Sequence, residues 1–373
     1  MKKFLLHPTV KILLLVSLWY AAIRGISYFV VRDFGYSAQY PYYNEIRAHL
    51  NQYDAVFAGF DGIHYLRLAR GWYNGTGVQA FFPLFPAVVR GLGQFHLEPE
   101  VTSLIIDAVG LFAGLFGLYL LWGKKAWFPI LATLVFPTSF FFASVYTESL
   151  FFGLTVLFFL SLRRQHYLFA AIFAGLASAT RLTGCLLGLS LAIELLRTRR
   201  LHSSRSSLLA SSILLFISES GLLGYMGYLF YKFHDPLMFF HVQSMFGAER
   251  SSGALIFLPQ VLFRYAKMIL TVDPHTWLYA RIWAELLLFL GAGFLWLKKW
   301  RSFSLSTSTY LLGSLLLPTL TGTLSSMPRY LLVIIPWLVY PYGDTRTGRI
   351  LLGVSAVAAA AAVIIFSRGY FVA

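Results

Sequence analysis

The residues with chemical potential begin at Phe60-Asp61-Gly62-Ile63-His64-Tyr65-Leu66-Arg67-Leu68. In a helix, positions 61, 64, 65 and 68 share one face, which stands a carboxylate and an imidazole one turn apart. Such a pair can take a proton from a hydroxyl, the work of a general base. An aspartate that caps the helix explains position 61 without chemistry, and packing alone explains Leu68. Glu148 follows Tyr146 and Thr147 at a break between two apolar runs. A carboxylate at membrane depth is costly and therefore commonly functional, and a helix-end role is the alternative. Arg181, inside Ala179-Thr180-Arg181-Leu182-Thr183-Gly184, and Arg329, opening an apolar run, are guanidiniums that can grip a phosphate with two hydrogen bonds or snorkel to an interface. Asp235-Pro236-Leu237 with Gln243 adds a third carboxylate and an amide, which an Asp-Pro turn also explains.

The elements that must hold these residues are apolar. Of 373 residues, 58% are hydrophobic and only 12% charged, with a mean hydropathy of +0.69. A soluble domain carries about 25% charged residues, so that class is excluded. Runs of roughly 20 apolar residues, each long enough to cross a bilayer core, recur along the chain. The alternating segments of about 10 residues that an outer-membrane barrel needs do not occur. The expectation is an all-α polytopic membrane protein forming one bundle over residues 1–373.

An apolar run from about Pro8 to Val31 follows Met1-Lys2-Lys3 and is too long for a cleaved signal, so it reads as an uncleaved first span. Residues 32–80 form the longest polar stretch, and the first extracytoplasmic loop extends over about 32–100, with Phe81 to Phe95 lying along the interface or re-entering the bilayer. Further spans are expected at about 101–122, 126–146, 148–162, 166–182, 184–196, 208–231, 276–297, 304–325, 329–342 and 350–367. That makes about eleven transmembrane helices.

On this reading the connections on one face carry Lys2, Lys3, Lys124, Lys125, Arg163, Arg164, Arg197, Arg199, Arg200, Arg205, Lys298, Lys299, Arg301, Arg346 and Arg349. Such an excess marks the cytoplasmic side and explains much of the net charge of +15 without nucleic acid. The clusters around Asp61, Glu148, Arg181, Asp235 and Arg329 then share the opposite, extracytoplasmic face. Cys185 is the one cysteine and reads as packing. No glycine-rich phosphate loop, paired-cysteine zinc site, His-Glu-x-x-His or Gly-x-Ser-x-Gly is present. Asn74-Gly75-Thr76 is a glycosylation sequon.

Several segments, in one order, carry a resemblance. They are Asp61-x-x-His64-Tyr65-x-x-x-Ala69-x-Gly71-x-Tyr73 with Gln79-Ala80-Phe81-Phe82-Pro83-Leu84-Phe85-Pro86, then Phe136-Pro137-Thr138 to Phe142, and Tyr146-Thr147-Glu148-Ser149-Leu150. Thr180-Arg181-Leu182-Thr183-Gly184, Asp235-Pro236-Leu237 with Gln243, and Ser326-Met327-Pro328-Arg329-Tyr330 follow. Together they resemble the PIG-V-like family, which includes GPI mannosyltransferase II and prokaryotic relatives, over residues 55–340. Phe60 stands where that family usually has Trp, which keeps an aromatic ring but loses an indole N–H. The short loops favour a prokaryotic member.

The resemblance implies a GT-C glycosyltransferase bundle whose donor is a polyprenyl- or dolichyl-phosphate sugar, typically mannose, and whose acceptor is a lipid-linked sugar or glycan. It would lie in the cytoplasmic membrane of a prokaryote or the endoplasmic reticulum of a eukaryote. It casts Asp61 as general base, and His64, Tyr65, Glu148, Asp235 and Gln243 as acceptor-binding or supporting groups. Arg181, Arg329 and Tyr330 would bind the donor phosphate. No metal is demanded, and a divalent cation beside Asp61 and Glu148 stays open. The competing classes are a flippase or transporter of lipid-linked glycans and an inactive scaffold subunit. A transporter calls for charges around the midplane and inverted repeats, whereas the charges recognised in the sequence gather toward one face.

Overall fold

The computed structural model describes residues 7–36, 42–198, 205–247, 250–251 and 253–372. Lys2, Lys3, Arg199 and Arg200, part of the expected cytoplasmic charge, lie outside them. Helices of eight or more residues, in chain order, are α1 (Pro8–Phe34), α2 (Asp61–Gly71), α3 (Leu84–Leu92), α4 (Pro99–Trp122), α5 (Trp127–Leu134), α6 (Glu148–Arg163) and α7 (Tyr167–Ser178). They continue as α8 (Cys185–Arg197), α9 (Arg205–Phe233), α10 (Leu258–Thr271), α11 (Trp277–Lys299), α12 (Leu305–Leu316), α13 (Met327–Val339) and α14 (Arg346–Ser367). Among the described residues there is no strand. Five segments are long and apolar enough to cross a bilayer: Pro8–Phe34, Pro99–Leu134, Ser206–Phe233, Trp277–Ser302 and Arg346–Ser367. This is the makeup of an all-α membrane protein.

The remaining expected spans fold as shorter helices, and proline explains several of the breaks. The run 126–146 is helical only to Leu134, then turns at Phe136-Pro137 before a short 3-10 segment at Ser139–Ala143. Proline lacks the helix donor and disfavours the helical region for the residue before it. Likewise α12 gives way to 3-10 geometry at Leu317-Pro318, and α13 contains Pro336. At the end of α7 the chain becomes extended at Arg181, with φ −157° and ψ 151°.

The chain divides into two compact units. The first comprises Met1–Asn74, Phe85–Val156 and Ile335–Val372. In it α4 packs closely against α6. A Cβ at Gly110 would lie 2.6 Å from the Ser149 carbonyl oxygen, one at Gly114 would lie 2.4 Å from the Phe152 ring, and one at Gly117 would lie 2.6 Å from Val156. Small residues on such a ridge let two apolar helices approach backbone to backbone. Helix α1 is pinned by two long-range bonds, Trp19 Nε1 to the Leu134 carbonyl at 2.7 Å and the Tyr20 hydroxyl to the Phe142 carbonyl at 2.9 Å.

The second unit comprises Gly75–Leu84 and Leu157–Ile334. The same device joins α7 to α9: a Cβ at Gly175 would lie 2.4 Å from the Ile217 carbonyl oxygen, and one at Gly221 would lie 2.2 Å from that of Gly175. The Leu222 N–H donates to Ser178 Oγ at 3.1 Å across this seam. Between α8 and α12, Ser190 Oγ donates to the Ser306 carbonyl at 3.0 Å.

Candidate active site

In the first unit, the segment before α2 sets up Asp61. Phe60 has φ 55° and ψ −117°, a conformation costly for a residue with a Cβ, by about 1–3 kcal/mol. Its ring packs against Phe366 and Phe371, with centroids 5.7 and 5.2 Å away, and that contact holds the strained turn. The helix then begins at Asp61. Phe60 occupies the cap position and makes no side-chain cap bond, so Asp61 is the first helical residue and not the cap. An anionic group at that end is favoured by the helix dipole.

His64 follows one turn later, half-buried, with its ring edge-on to Tyr42 at 5.7 Å. Burial pushes its imidazole below the ordinary histidine value, against the opposing pull of the Asp61 carboxylate. The ring is therefore neutral at pH 7 and has a nitrogen that can accept a proton. Arg67 forks onto Glu45 at 2.9 and 2.5 Å and lies over the Tyr42 ring at 4.1 Å. That hydrogen bond holds Glu45 below the usual carboxylate range. Tyr65 points into the core, edge-on to Phe85 at 5.4 Å.

Glu148 reaches the same neighbourhood through backbone pairing. The Val145 N–H donates to the Phe57 carbonyl at 2.8 Å, and the Tyr146 hydroxyl donates to the Gly59 carbonyl at 2.9 Å. Gly62 allows the approach, since a Cβ there would stand 3.2 Å from the Val145 carbonyl oxygen. The start of α6, with fully buried Glu148 as its first residue, is thus tied to the residues just before Asp61. Two further charged groups belong here. Arg24 of α1 pairs with Asp54 at 3.0 Å, donates to the Ala143 carbonyl at 3.2 Å and lies over the Phe57 ring at 3.9 Å. Asp107 of α4 is wholly buried, and neither of its carboxylate oxygens has a hydrogen-bond partner.

The second unit holds the two arginines singled out in the sequence. Arg181 lies over the Tyr330 ring at 5.9 Å, which brings together two residues far apart in sequence. Arg329 is buried at 7% exposure, two residues beyond the start of α13. That helix follows Ser326, which at φ 67° is one of six non-glycine residues with positive φ among those described. Arg250 reaches both Ser326 Oγ and Gln243 Oε1 at 3.4 Å, which places Gln243 beside the turn that leads to Arg329. The preceding loop is clamped by Tyr265, which donates to the Glu285 carboxylate and accepts from the Leu324 N–H at 3.1 Å. Asp235 is engaged in its own turn: it accepts from the Leu237 N–H at 3.0 Å and pairs with His241 at 2.7 Å.

Sequence reasoning passed over Asp107, Arg24, Arg250 and the Tyr265–Glu285 clamp. For Asp107, Arg24 and Glu285 a signal existed, since each is an ionisable residue inside a long apolar run. Glu219, in the middle of Ser206–Phe233, is another. Arg250 and Tyr265 had none, because their bonds to Ser326 and Leu324 join residues 76 and 59 positions apart. Among the described residues, no group of three or more His, Cys, Asp and Glu is placed to hold a metal ion. No protein-family model matches the chain, and no curated protein matches it either.

Proposed function

We propose that the chain is a GT-C-type glycosyltransferase of about eleven transmembrane helices, similar to the PIG-V-like family. It takes a sugar, mannose by that resemblance, from a polyprenyl- or dolichyl-phosphate donor and passes it to a lipid-linked or glycan acceptor on the extracytoplasmic face. The observation that carries this reading is Asp61 at the head of α2, set behind the strained Phe60 and one turn from a neutral His64. Strain of this kind collects at functional sites.

The chemistry divides between carboxylate and guanidinium. Asp61 accepts the proton of the acceptor hydroxyl as its oxygen attacks the sugar C1 from the face opposite the phosphate. The new C1–O bond forms while the C1–O(phosphate) bond breaks, and the configuration inverts. The lipid phosphate leaves with the bonding pair, and Arg181 and Arg329 stabilise its growing charge. His64 and Glu148 hold the acceptor, with Tyr65 behind them as packing. Gln243 steadies the turn before Arg329 through Arg250, and Tyr330 lies beside Arg181.

A flippase of lipid-linked glycans is the second reading, favoured by ionisable residues inside the long helices: Asp107, Glu219 and Glu285. One experiment separates the two. The purified chain is reconstituted into vesicles with radiolabelled polyprenyl-phosphate mannose and candidate lipid acceptors. Label moving into a new product supports the transferase, whereas label crossing the bilayer with the donor intact supports the flippase.

A further inference from the structure

Helix α10 (Leu258–Thr271) stands in sequence between two segments long enough to cross a bilayer, Ser206–Phe233 and Trp277–Ser302, and is not itself one of them. Its 14 residues rise about 21 Å, at roughly 1.5 Å each, short of a hydrocarbon core about 30 Å thick. The sides of the helix divide into strips. Val261 and Tyr265 are buried. Pro259, Phe263, Ala266 and Leu270 recur at the helical period on one outward strip, where Phe263 is 70% and Leu270 85% exposed. The neighbouring strip, about 100° round the axis, carries Gln260, Arg264, Lys267 and Thr271, all exposed except the half-buried Arg264.

The outward side of α10 is thus apolar along one edge and cationic along the other. Water does not suit two large apolar side chains at this exposure, and the acyl interior does not suit an exposed lysine. The boundary between acyl chains and headgroups suits both. Leu255 and Phe257, 58% and 68% exposed, add apolar surface just before the helix. The charge has one sign as well: residues 250–272 contain Arg250, Arg264 and Lys267 and no Asp or Glu. That excess complements the phosphates of lipid headgroups.

We infer that α10 lies in the plane of the membrane, with Phe263 and Leu270 among the acyl chains and Gln260, Arg264 and Lys267 at the level of the headgroup phosphates. The surface it docks on is the lipid leaflet. The rest of the helix holds the segment before α13. Arg264 donates to the Gly322 carbonyl at 3.2 Å, and Tyr265 accepts from the Leu324 N–H at 3.1 Å. Just ahead of α10, the Ile256 N–H donates to the Leu320 carbonyl at 2.9 Å. The leaflet thereby sets the level at which the turn at Ser326 and the start of α13 stand. The placement does not depend on the proposed activity, since position can be read without turnover.

Spin labelling of the full chain tests it. In a Cys185→Ala background, single labels are placed at Gln260→Cys, Phe263→Cys, Lys267→Cys and Leu270→Cys, and the protein is reconstituted in nanodiscs of phosphatidylcholine and phosphatidylglycerol. Collisions with oxygen, which concentrates among acyl chains, are compared with collisions with a water-soluble nickel chelate. The expected result is a ratio that reverses around the helix: oxygen prevails at 263 and 270, and the chelate at 260 and 267. Chelate prevailing at all four positions overturns the inference, because the helix then stands in water. Oxygen prevailing at all four also overturns it, because the helix then lies within the hydrocarbon core. Exclusion of both reagents at 263 and 270 overturns it too, since another protein surface then covers the strip. If Phe263→Cys loses helical circular dichroism, Leu270→Cys against Lys267→Cys decides in the same way.

Discussion

The two units differ in which of the singled-out charged groups they hold. In the first, the singled-out carboxylates stand at helix starts and inside the packing: Asp61 opens α2, Glu148 opens α6, and Asp107 is buried with no hydrogen bond to either oxygen. In the second, guanidiniums are gathered and held by rings, hydroxyls and amides, as Arg181 is beside Tyr330 and Arg250 is between Gln243 and Ser326. Asp235 is the acid of the second unit that the sequence singled out, and it is spent on its own turn and His241. Yet the two share one device, since α2 and α13 both begin after a non-glycine residue at positive φ, Phe60 and Ser326. Under the proposed function, the contrast divides proton chemistry and anion binding between separate parts of the chain, each beside a helix start that follows a positive-φ residue.

The contrast breaks most readily at Asp61. Asp61→Asn is expected to lower sugar transfer by about 10²–10⁴-fold, the usual worth of a general base, with donor binding retained. Arg329→Ala, and to a similar degree Arg181→Ala, should cost about 10²–10³-fold, the worth of a donor to a developing oxyanion. In those variants the loss should fall on kcat/KM for the lipid-phosphate donor and spare acceptor dependence, as steady-state kinetics with each substrate varied would read.

Gly110→Ala sharpens the comparison structurally. Its methyl group would meet the backbone of Ser149 and Leu150 at 2.6–2.8 Å, and overpacking of this kind costs about 1–3 kcal/mol. A lowered Tm is expected for it and none for Gly91→Ala, where nothing lies within 4 Å of the added carbon. Smaller still is the pH effect of His64. Its folded-state value lies below the ordinary 6.5, so the unfolded chain binds the proton more readily. Stability is full above the ordinary 6.5 and falls as pH drops from there toward the lower folded-state value. His64→Gln should flatten this acid limb in thermal melts between pH 7 and pH 5. Asp235→Asn is expected to do least, changing stability by at most about 1 kcal/mol, as for an exposed pair, with transfer near the wild-type rate.

The membrane-spanning character and the helical class are plain in the sequence because apolar length is a local property. Helices α1, α4, α9, α11 and α14 fall where the long runs predict them. The breaks inside the remaining runs were less plain. Pro137 and Pro318 mark two of them, but the extended Arg181 carries no local signal. Of the site, the Asp61–His64 spacing was legible because both lie on one helix. The pairing of Arg181 with Tyr330 and of Arg250 with Ser326 was not, because it joins residues 149 and 76 positions apart, the second at a turn with positive φ. Glu148 was legible as an acid at a break between apolar runs, and Asp107 was legible in principle as an acid in an apolar helix.

The measurement that bears most directly on the account compares Asp61→Asn with Arg329→Ala in a single assay of transfer from polyprenyl-phosphate mannose, with donor binding measured alongside. The account predicts that Asp61→Asn binds the donor like the wild type and does not transfer, whereas Arg329→Ala fails first in its use of the donor. Near-normal transfer by Asp61→Asn would contradict it, since the proton would then be taken by another group and the acids of the first unit would have lost their assigned role.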